Sequence, residues 1–253
     1  MTGRLSVVGL GPGAEDLVAP RAHAAIEAAG HLLGYAPYVA RVPPIPGQER
    51  HVSDNREELA RARHALDLAA AGHEVAVVSS GDPGVFAMAS AVFEAIEDGP
   101  AEWRAIDVQL VPGISAMFAA AARVGAPLGH DFCAISLSDN LKPWETVLQR
   151  LEAAAGADFV VALYNPVSQA RPWQITRAFE VFGRHRVLST PVVFATAVSR
   201  PDERIEVATL ATAASVAADM RTVIIIGSSH TRVVDRNGPG RWVYTPRWTR
   251  VPA

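Results

Sequence analysis

Three observations predict an α/β fold. Short β-branched runs alternate with alanine-rich stretches along most of the chain, the pattern of interleaved strands and helices. Several of these runs are apolar throughout, as expected of strands covered on both faces. Three glycine-bearing corners in the first half stand between a strand and a helix, where open α/β sheets place ligands. The 253 residues, 49% of them hydrophobic and 19% charged, supply enough apolar material for a core and exclude disorder as the dominant state.

Taken in order, strands are predicted over 5–10, 74–79, 107–111, 133–136, 159–164, 192–197 and 223–226. The clearest helix follows Ser53-Asp54, either of which can cap it, and presents Leu59, Ala62, Leu66 and Ala69 at helical spacing. Glu57 and Arg61 read as an i,i+4 pair on its wet side, and Gly72 ends it. Further helices are predicted over 85–96 and 115–124. The stretch 36–47 holds four of the 18 prolines and reads as a fixed-shape surface loop. A boundary near Pro112-Gly113 gives an N-terminal α/β domain over 1–113 and a C-terminal α/β domain over 114–236. A tail over 237–253 opens with Asn237-Gly238-Pro239-Gly240, and its residues leave an edge strand and a mobile end equally open.

Composition narrows the classes of function. The 23 basic against 26 acidic residues, net charge −3, point to no nucleic-acid partner through bulk charge, while a local basic site for an anion stays open. The longest uninterrupted apolar run, 116–122, is far short of the roughly 20 residues that span a bilayer, so no membrane association is expected. The first residues lead straight into a strand-like run without the features of a secretory leader, which makes cytoplasmic residence the expectation. Cys133, the one cysteine, sits in a strand-like run and reads as a small buried filler rather than a nucleophile. No His/Cys/Asp constellation has metal-ligand spacing, so no protein-bound metal is expected.

The first corner, Gly9-Leu10-Gly11-Pro12-Gly13, departs from the dinucleotide fingerprint Gly-x-Gly-x-x-Gly: its glycines alternate, and Pro12 removes a donor that a pyrophosphate would need. It reads either as a rigid turn that brings backbone close to a ligand or as a purely structural tight turn. The second, Ser79-Ser80-Gly81-Asp82-Pro83-Gly84-Val85-Phe86, lets backbone approach a ligand at Gly81 and Gly84 and offers the Asp82 carboxylate, though as a tetrapeptide Ser-Gly-Asp-Pro is also an ordinary turn. In the third, Val111-Pro112-Gly113-Ile114-Ser115-Ala116, Ser115 either serves a ligand or caps the following helix. Three such corners suggest one converging crevice.

With Pro20-Arg21-Ala22 shortly after the first, these corners make the chain resemble the tetrapyrrole methylases, a class of S-adenosylmethionine-dependent enzymes of two α/β domains with the cofactor in a cleft between them. Within that class the likeness is to the branch that methylates a precorrin at C17 and contracts the ring in cobalamin synthesis. It is carried by Gly34-Tyr35-Ala36-Pro37-Tyr38, Ser53-Asp54-Asn55-Arg56, Gly81 to Met88, Leu128-Gly129-His130-Asp131-Phe132, Ile135 to Asp139, Lys142-Pro143-Trp144-Glu145, Ala162 to Pro166 and Asp219 to Ser229. The resemblance spans about Leu5 to Arg232.

The resemblance implies S-adenosylmethionine as cofactor, a precorrin tetrapyrrole or its cobalt form as substrate, and a homodimer. Cofactor contacts implied by position are Ser80, Gly81, Asp82, Val85, Phe86, Ser115, Ala116, Tyr164, Asn165, Ala197, Thr222 and Val223. At 196–198 the chain departs from the glycine-bearing pattern of the family. Gly11, Pro12 and Gly13 would face the tetrapyrrole. A macrocycle bearing acetates and propionates needs basic groups around an apolar floor, for which Arg21, Arg56, Lys142 and Arg171 are candidates, with Tyr35 and Tyr38 as walls. Ring contraction needs a base within hydrogen-bond reach; His130 leads, with Asp139 and Asp54 behind it, against the plain reading of His130 as a loop histidine bonded to backbone. The alternatives are a tetrapyrrole methylase acting at another carbon and a carrier of a corrinoid intermediate without chemistry.

Overall fold

In the computed structural model, residues 2–54, 56–168, 170–238 and 240–248 are described. Asn55 of the Ser53–Arg56 motif, Pro239 of the glycine break and residues 249–253 of the tail lie outside them. The chain divides into two units, Met1–Ser115 and Ala116–Ala253.

The first unit runs β1 (Arg4–Gly9), α1 (Pro20–Ala28), β2 (His31–Tyr35), α2 (Ala36–Val39), β3 (Glu49–Ser53), α3 (Glu58–Ala70), β4 (Glu74–Ser79), α4 (Met88–Asp98) and β5 (Asp107–Val111). Its strands form one sheet in the order β3-β2-β4-β1-β5, parallel throughout. Residues of opposite parity serve opposite faces. Leu5, Val7, Leu33, Val75 and Val77 pack with α3 and α4, and Val8, Leu32, Ala76 and Val78 pack with Ala22 and Ile26 of α1. That double cover is why β1 and β4 are apolar along almost their whole length. Proline at the first position of α1 fits, because that residue's N–H has no partner within the helix.

Four expectations are corrected here. Neither Ser53 nor Asp54 caps α3 with its side chain; Glu57 instead reaches back to accept the Asp54 N–H at 2.8 Å. Arg61 is buried, not on the wet side. Its Nε donates to Ser53 Oγ at 2.7 Å and its Nη2 to the Asp54 carbonyl at 2.6 Å, so the guanidinium ties the end of β3 to α3. Helix α4 starts at Met88 rather than 85, because Phe86 takes φ +52° and Ala87 is extended. The proline stretch 36–47 is partly helical and is anchored by buried Val39 and Val42. Gly72 follows α3 at φ +97°, the left-handed stop that glycine supplies.

The second unit runs α5 (Ala116–Val124), β6 (Gly125–Ala126), β7 (Phe132–Ser136), α6 (Trp144–Gly156), β8 (Val160–Tyr164), α7 (Gln174–His185), β9 (Pro191–Thr196), β10 (Arg204–Thr209), β11 (Thr222–Ile226), β12 (Arg232–Asp235) and β13 (Arg241–Tyr244). A mixed sheet in the order β10-β9-β11-β8-β7 carries α6 and α7 against one face and α5 against the other. Within the tail, 241–244 forms a strand, but not at an edge as expected: β13 is the central strand of a three-stranded sheet, paired with β12 on one side and β6 on the other. Cys133 is half-buried, and desolvation pushes its thiol pKa up, as suits a filler rather than a nucleophile. Among the described residues no helix is long and apolar enough to cross a membrane.

Candidate active site

In the first unit the three corners meet. Leu10 N–H donates to the Ser79 carbonyl at 2.8 Å, and Gly11 and Gly81 exchange both backbone hydrogen bonds, at 3.2 and 2.9 Å. A Cβ on Gly113 would lie 2.3 Å from the Gly81 oxygen, and one on Gly9 would lie 2.6 Å from that same oxygen. Backbone therefore packs on backbone, and a side chain at either position would force the corners apart. Gly11 sits at φ +62° beneath Leu17, where a Cβ would meet the Leu17 oxygen at 2.7 Å.

Asp82 holds this meeting point together. Its Oδ1 accepts the Gly84 N–H at 2.8 Å and its Oδ2 the Gly113 N–H at 3.1 Å, so the carboxylate fastens the second corner to the third. Past it, Phe86 is a non-glycine residue in the left-handed region with its ring half exposed. Strain of that kind, about 1–2 kcal/mol for an L-residue, persists where surrounding structure over-determines it, typically at binding loops. Ser80 and Val85 flank these residues, and buried Ser115 ends the unit.

Arg41, which the sequence reading did not single out, fixes the first corner. Its guanidinium donates to the carbonyls of Leu10 at 2.6 Å and Gly11 at 3.3 Å and reaches Ser80 Oγ at 3.5 Å. Its only signal in the sequence is its place in the proline-rich stretch. At the same end of the sheet, Tyr35 and Tyr38 meet edge to face at 5.3 Å, while Asp54 and Arg56 follow β3 as exposed residues. Arg21 instead donates to Gln109 on an exposed side-chain pair.

In the second unit, β8 and β9 both run antiparallel to β11, so the carboxyl ends of β7, β8 and β9 and the amino end of β11 share one edge. That edge gathers Tyr164, Asn165, Ala197, Thr222 and Val223. Asn165 and Ala197 both take φ +52°. Tyr164 Oη accepts the Met117 N–H at 3.0 Å, capping α5 beside Ala116. Thr222 Oγ1 is already occupied, 2.9 Å from Thr196 Oγ1 and accepting the Asp219 N–H at 3.0 Å, so its hydroxyl shapes the edge.

A polar cluster adjoins this edge. Asn165 Nδ2 donates to Ser136 Oγ at 2.9 Å; buried Arg171 donates to the Asn165 carbonyl at 3.4 Å and places Nε 3.9 Å from Asp139. Gln174, 1% exposed, donates to Asp139 Oδ2 at 3.2 Å and leaves its Oε1 buried without a hydrogen-bond partner. Ser136 and Gln174 escaped the sequence reading. The available signal for Gln174 was a polar residue opening the apolar face of α7, otherwise Ile175, Ala178 and Phe179. Lys142 lies partly buried before α6, its pKa lowered by desolvation and then by the Arg150 charge. His130 stands apart from these groups: it precedes β7, at the opposite end of the sheet, and its Nδ1 accepts the Asp131 N–H at 2.8 Å.

Residues 4–214 match the family described as Tetrapyrrole (Corrin/Porphyrin) Methylases. The chain is 57% identical over 248 residues to a Precorrin-3B C(17)-methyltransferase of Sinorhizobium sp., covering 98% of each. It is 48% identical to the Cobalamin biosynthesis protein CobIJ of Mycobacterium tuberculosis, with 98% of this chain matching 48% of that protein. The crystal structure of the methyltransferase CobJ superposes with a TM-score of 0.91 at 53% identity, over 97% of this chain and all of that one.

Proposed function

The chain belongs to the tetrapyrrole methylase family, and from that premise we propose that it transfers a methyl group from S-adenosylmethionine to C17 of precorrin-3B, with contraction of the ring, in cobalamin biosynthesis. The observation that carries the reading is the contact of the three glycine corners at the carboxyl end of a parallel sheet, in a chain 57% identical to a C17-methyltransferase over nearly its full length.

The residues fit the cofactor. Gly9 and Gly113 let the backbone of the three corners pack directly on the Gly81 oxygen, which keeps this meeting point free of side chains, and Phe86 follows in the second corner with its ring half exposed. The cofactor contacts assigned are Ser80, Gly81, Asp82, Val85, Phe86 and Ser115 in the first unit and Ala116, Tyr164, Asn165, Ala197, Thr222 and Val223 in the second. When bound, S-adenosylmethionine supplies an electrophilic methyl on a positively charged sulfur. A carboxylate set against that sulfur would hold the ground state more tightly than the transition state. Asp82 avoids this, because both its oxygens are turned to backbone N–H groups and its work is to hold the meeting point in shape. Rate then comes from alignment of the attacking carbon, an orientation effect of several kcal/mol and up to about 10.

Substrate acids are assigned to Arg171, Lys142 and Arg56, with Tyr35 as a wall and Gly11-Pro12-Gly13 facing the macrocycle. For the base of ring contraction the geometry favours Asp139 over His130. Asp139 is oriented by Gln174 and by Arg171, which also donates to the Asn165 carbonyl, whereas His130 lies at the other end of the sheet with Nδ1 bonded to backbone. The assembly is assigned as a homodimer. Equilibrium binding of S-adenosylhomocysteine together with a labelled-methyl assay on precorrin-3B tests the reading: label in the macrocycle supports it, and binding without transfer points to a carrier.

A further inference from the structure

We propose that the open edge of the first sheet carries a divalent transition-metal site, formed by His31, Glu49 and His51, which clips edge strand β3 to β2. Sequence spacing gave no metal constellation; strand pairing makes one, because the parallel register sets His31 beside Glu49 and brings His51 in two residues further along. His31 Nδ1 and His51 Nε2 lie 3.1 Å apart; His31 Nδ1 is 3.6 Å from Glu49 Oε2 and His51 Nε2 is 3.6 Å from Glu49 Oε1. One ligand atom from each residue falls within 4.8 Å of the others.

Those separations fit the ion. With bonds of about 2.05 Å, two ligands of a tetrahedral Zn²⁺ stand roughly 3.3 Å apart. The 3.1 Å nitrogen–nitrogen separation is close to one edge of such a tetrahedron, and the Glu49 carboxylate, with one oxygen 3.6 Å from each nitrogen, lies where it can supply the third ligand. Two imidazoles and a carboxylate form a borderline donor set, suited to Zn²⁺ or Co²⁺ rather than to Mg²⁺ or Ca²⁺, and the fourth position stays open to water. Both histidine side chains are mostly buried, at 14% and 19% exposure, which limits their freedom before an ion arrives. Two further rings brace them edge-on: His73 stands 4.6 Å from His31, and His64 stands 4.7 Å from His51. His31 and Glu49 open their strands, so the cluster lies at the amino ends, away from the glycine corners at the carboxyl ends. The ion is therefore assigned a structural place, outside the methyl-transfer machinery.

The test uses the whole protein, stripped with a chelator and titrated with Zn²⁺ by calorimetry and with Co²⁺ by visible absorption. One equivalent is expected to bind, Co²⁺ is expected to give the intense d–d bands of a four-coordinate site, and zinc is expected to raise the melting temperature. His51→Gln and Glu49→Gln each weaken binding by at least about tenfold, the lower end of what even outer-shell changes cost metal sites, while His23→Gln at a separate His–Glu pair leaves it unchanged. X-ray absorption on the zinc-loaded native protein, which needs no variant to fold, is expected to show two imidazoles and a carboxylate oxygen. Absence of saturable binding, binding indifferent to both substitutions, or a different donor shell overturns the proposal.

Discussion

Replacing Asp82 with alanine probes the clamp between the second and third corners. The substitution removes two charge-assisted hydrogen bonds, to Gly84 N–H at 2.8 Å and to Gly113 N–H at 3.1 Å. Bonds of this class contribute about 1.5–3 kcal/mol each when fully shielded. Gly84 is exposed, so water replaces its partner at little cost, whereas Gly113 is part-buried against the Gly9 and Gly81 backbone. The expected loss is therefore about 2–3 kcal/mol, a fall of about 1–1.5 M in a urea midpoint for a slope near 2 kcal/mol per M. Because the corners part, affinity for S-adenosylhomocysteine falls by at least about tenfold, some 1.4 kcal/mol. Asp82→Asn keeps one acceptor and is expected to lose about half as much stability. Urea denaturation and calorimetric titration on the same preparations separate two cases. An unchanged midpoint with weakened affinity would leave Asp82 as a cofactor contact without the clamp, and no change in either quantity would refute both roles.

Three further outcomes are expected. Ala197→Gly relieves the left-handed strain at φ +52° and raises stability by up to about 1 kcal/mol, net of the greater freedom glycine brings to the unfolded chain; a lower denaturation midpoint contradicts this. Asp139→Asn slows ring contraction, followed by product mass, while leaving S-adenosylhomocysteine affinity within about twofold, and His130→Asn leaves both unchanged; the reverse pattern restores His130 as base. Burial raises the Cys133 thiol, so the thiolate is scarcer in the fold than in the unfolded chain at any pH near or below the ordinary value of about 8.5. Alkylation of the folded protein at pH 8 should run slower than that of the urea-unfolded chain, and equal rates would show the thiol to be unperturbed.

The strands most legible in the sequence are those buried on both faces, where apolar residues run without interruption, as in β4 and β11, although the edge strands β5 and β7 are legible too. Strands β3, with Glu49, Arg50 and His51, and β10, with Arg204 and Glu206, escaped because these edge strands are broken up by charged residues. Strand β2 escaped because it is short and carries Gly34, which packing demands: a Cβ there would lie 2.8 Å from a Val78 methyl. The meeting of the three corners was readable from the placing of their glycines after strands. The inward turn of Arg61 and the grip of Arg41 on the first corner were not, since each depends on carbonyls that only the folded loops present. The same holds for His31, Glu49 and His51, which are neighbours through register alone.

The most direct test of the central claim is to incubate the protein with precorrin-3B and S-adenosylmethionine carrying a ¹³C-labelled methyl, and to read the product by NMR. The account requires one labelled methyl at C17 and the former C20 carbon outside a contracted ring. Label at another ring carbon, or a macrocycle recovered without label while the cofactor binds, contradicts it.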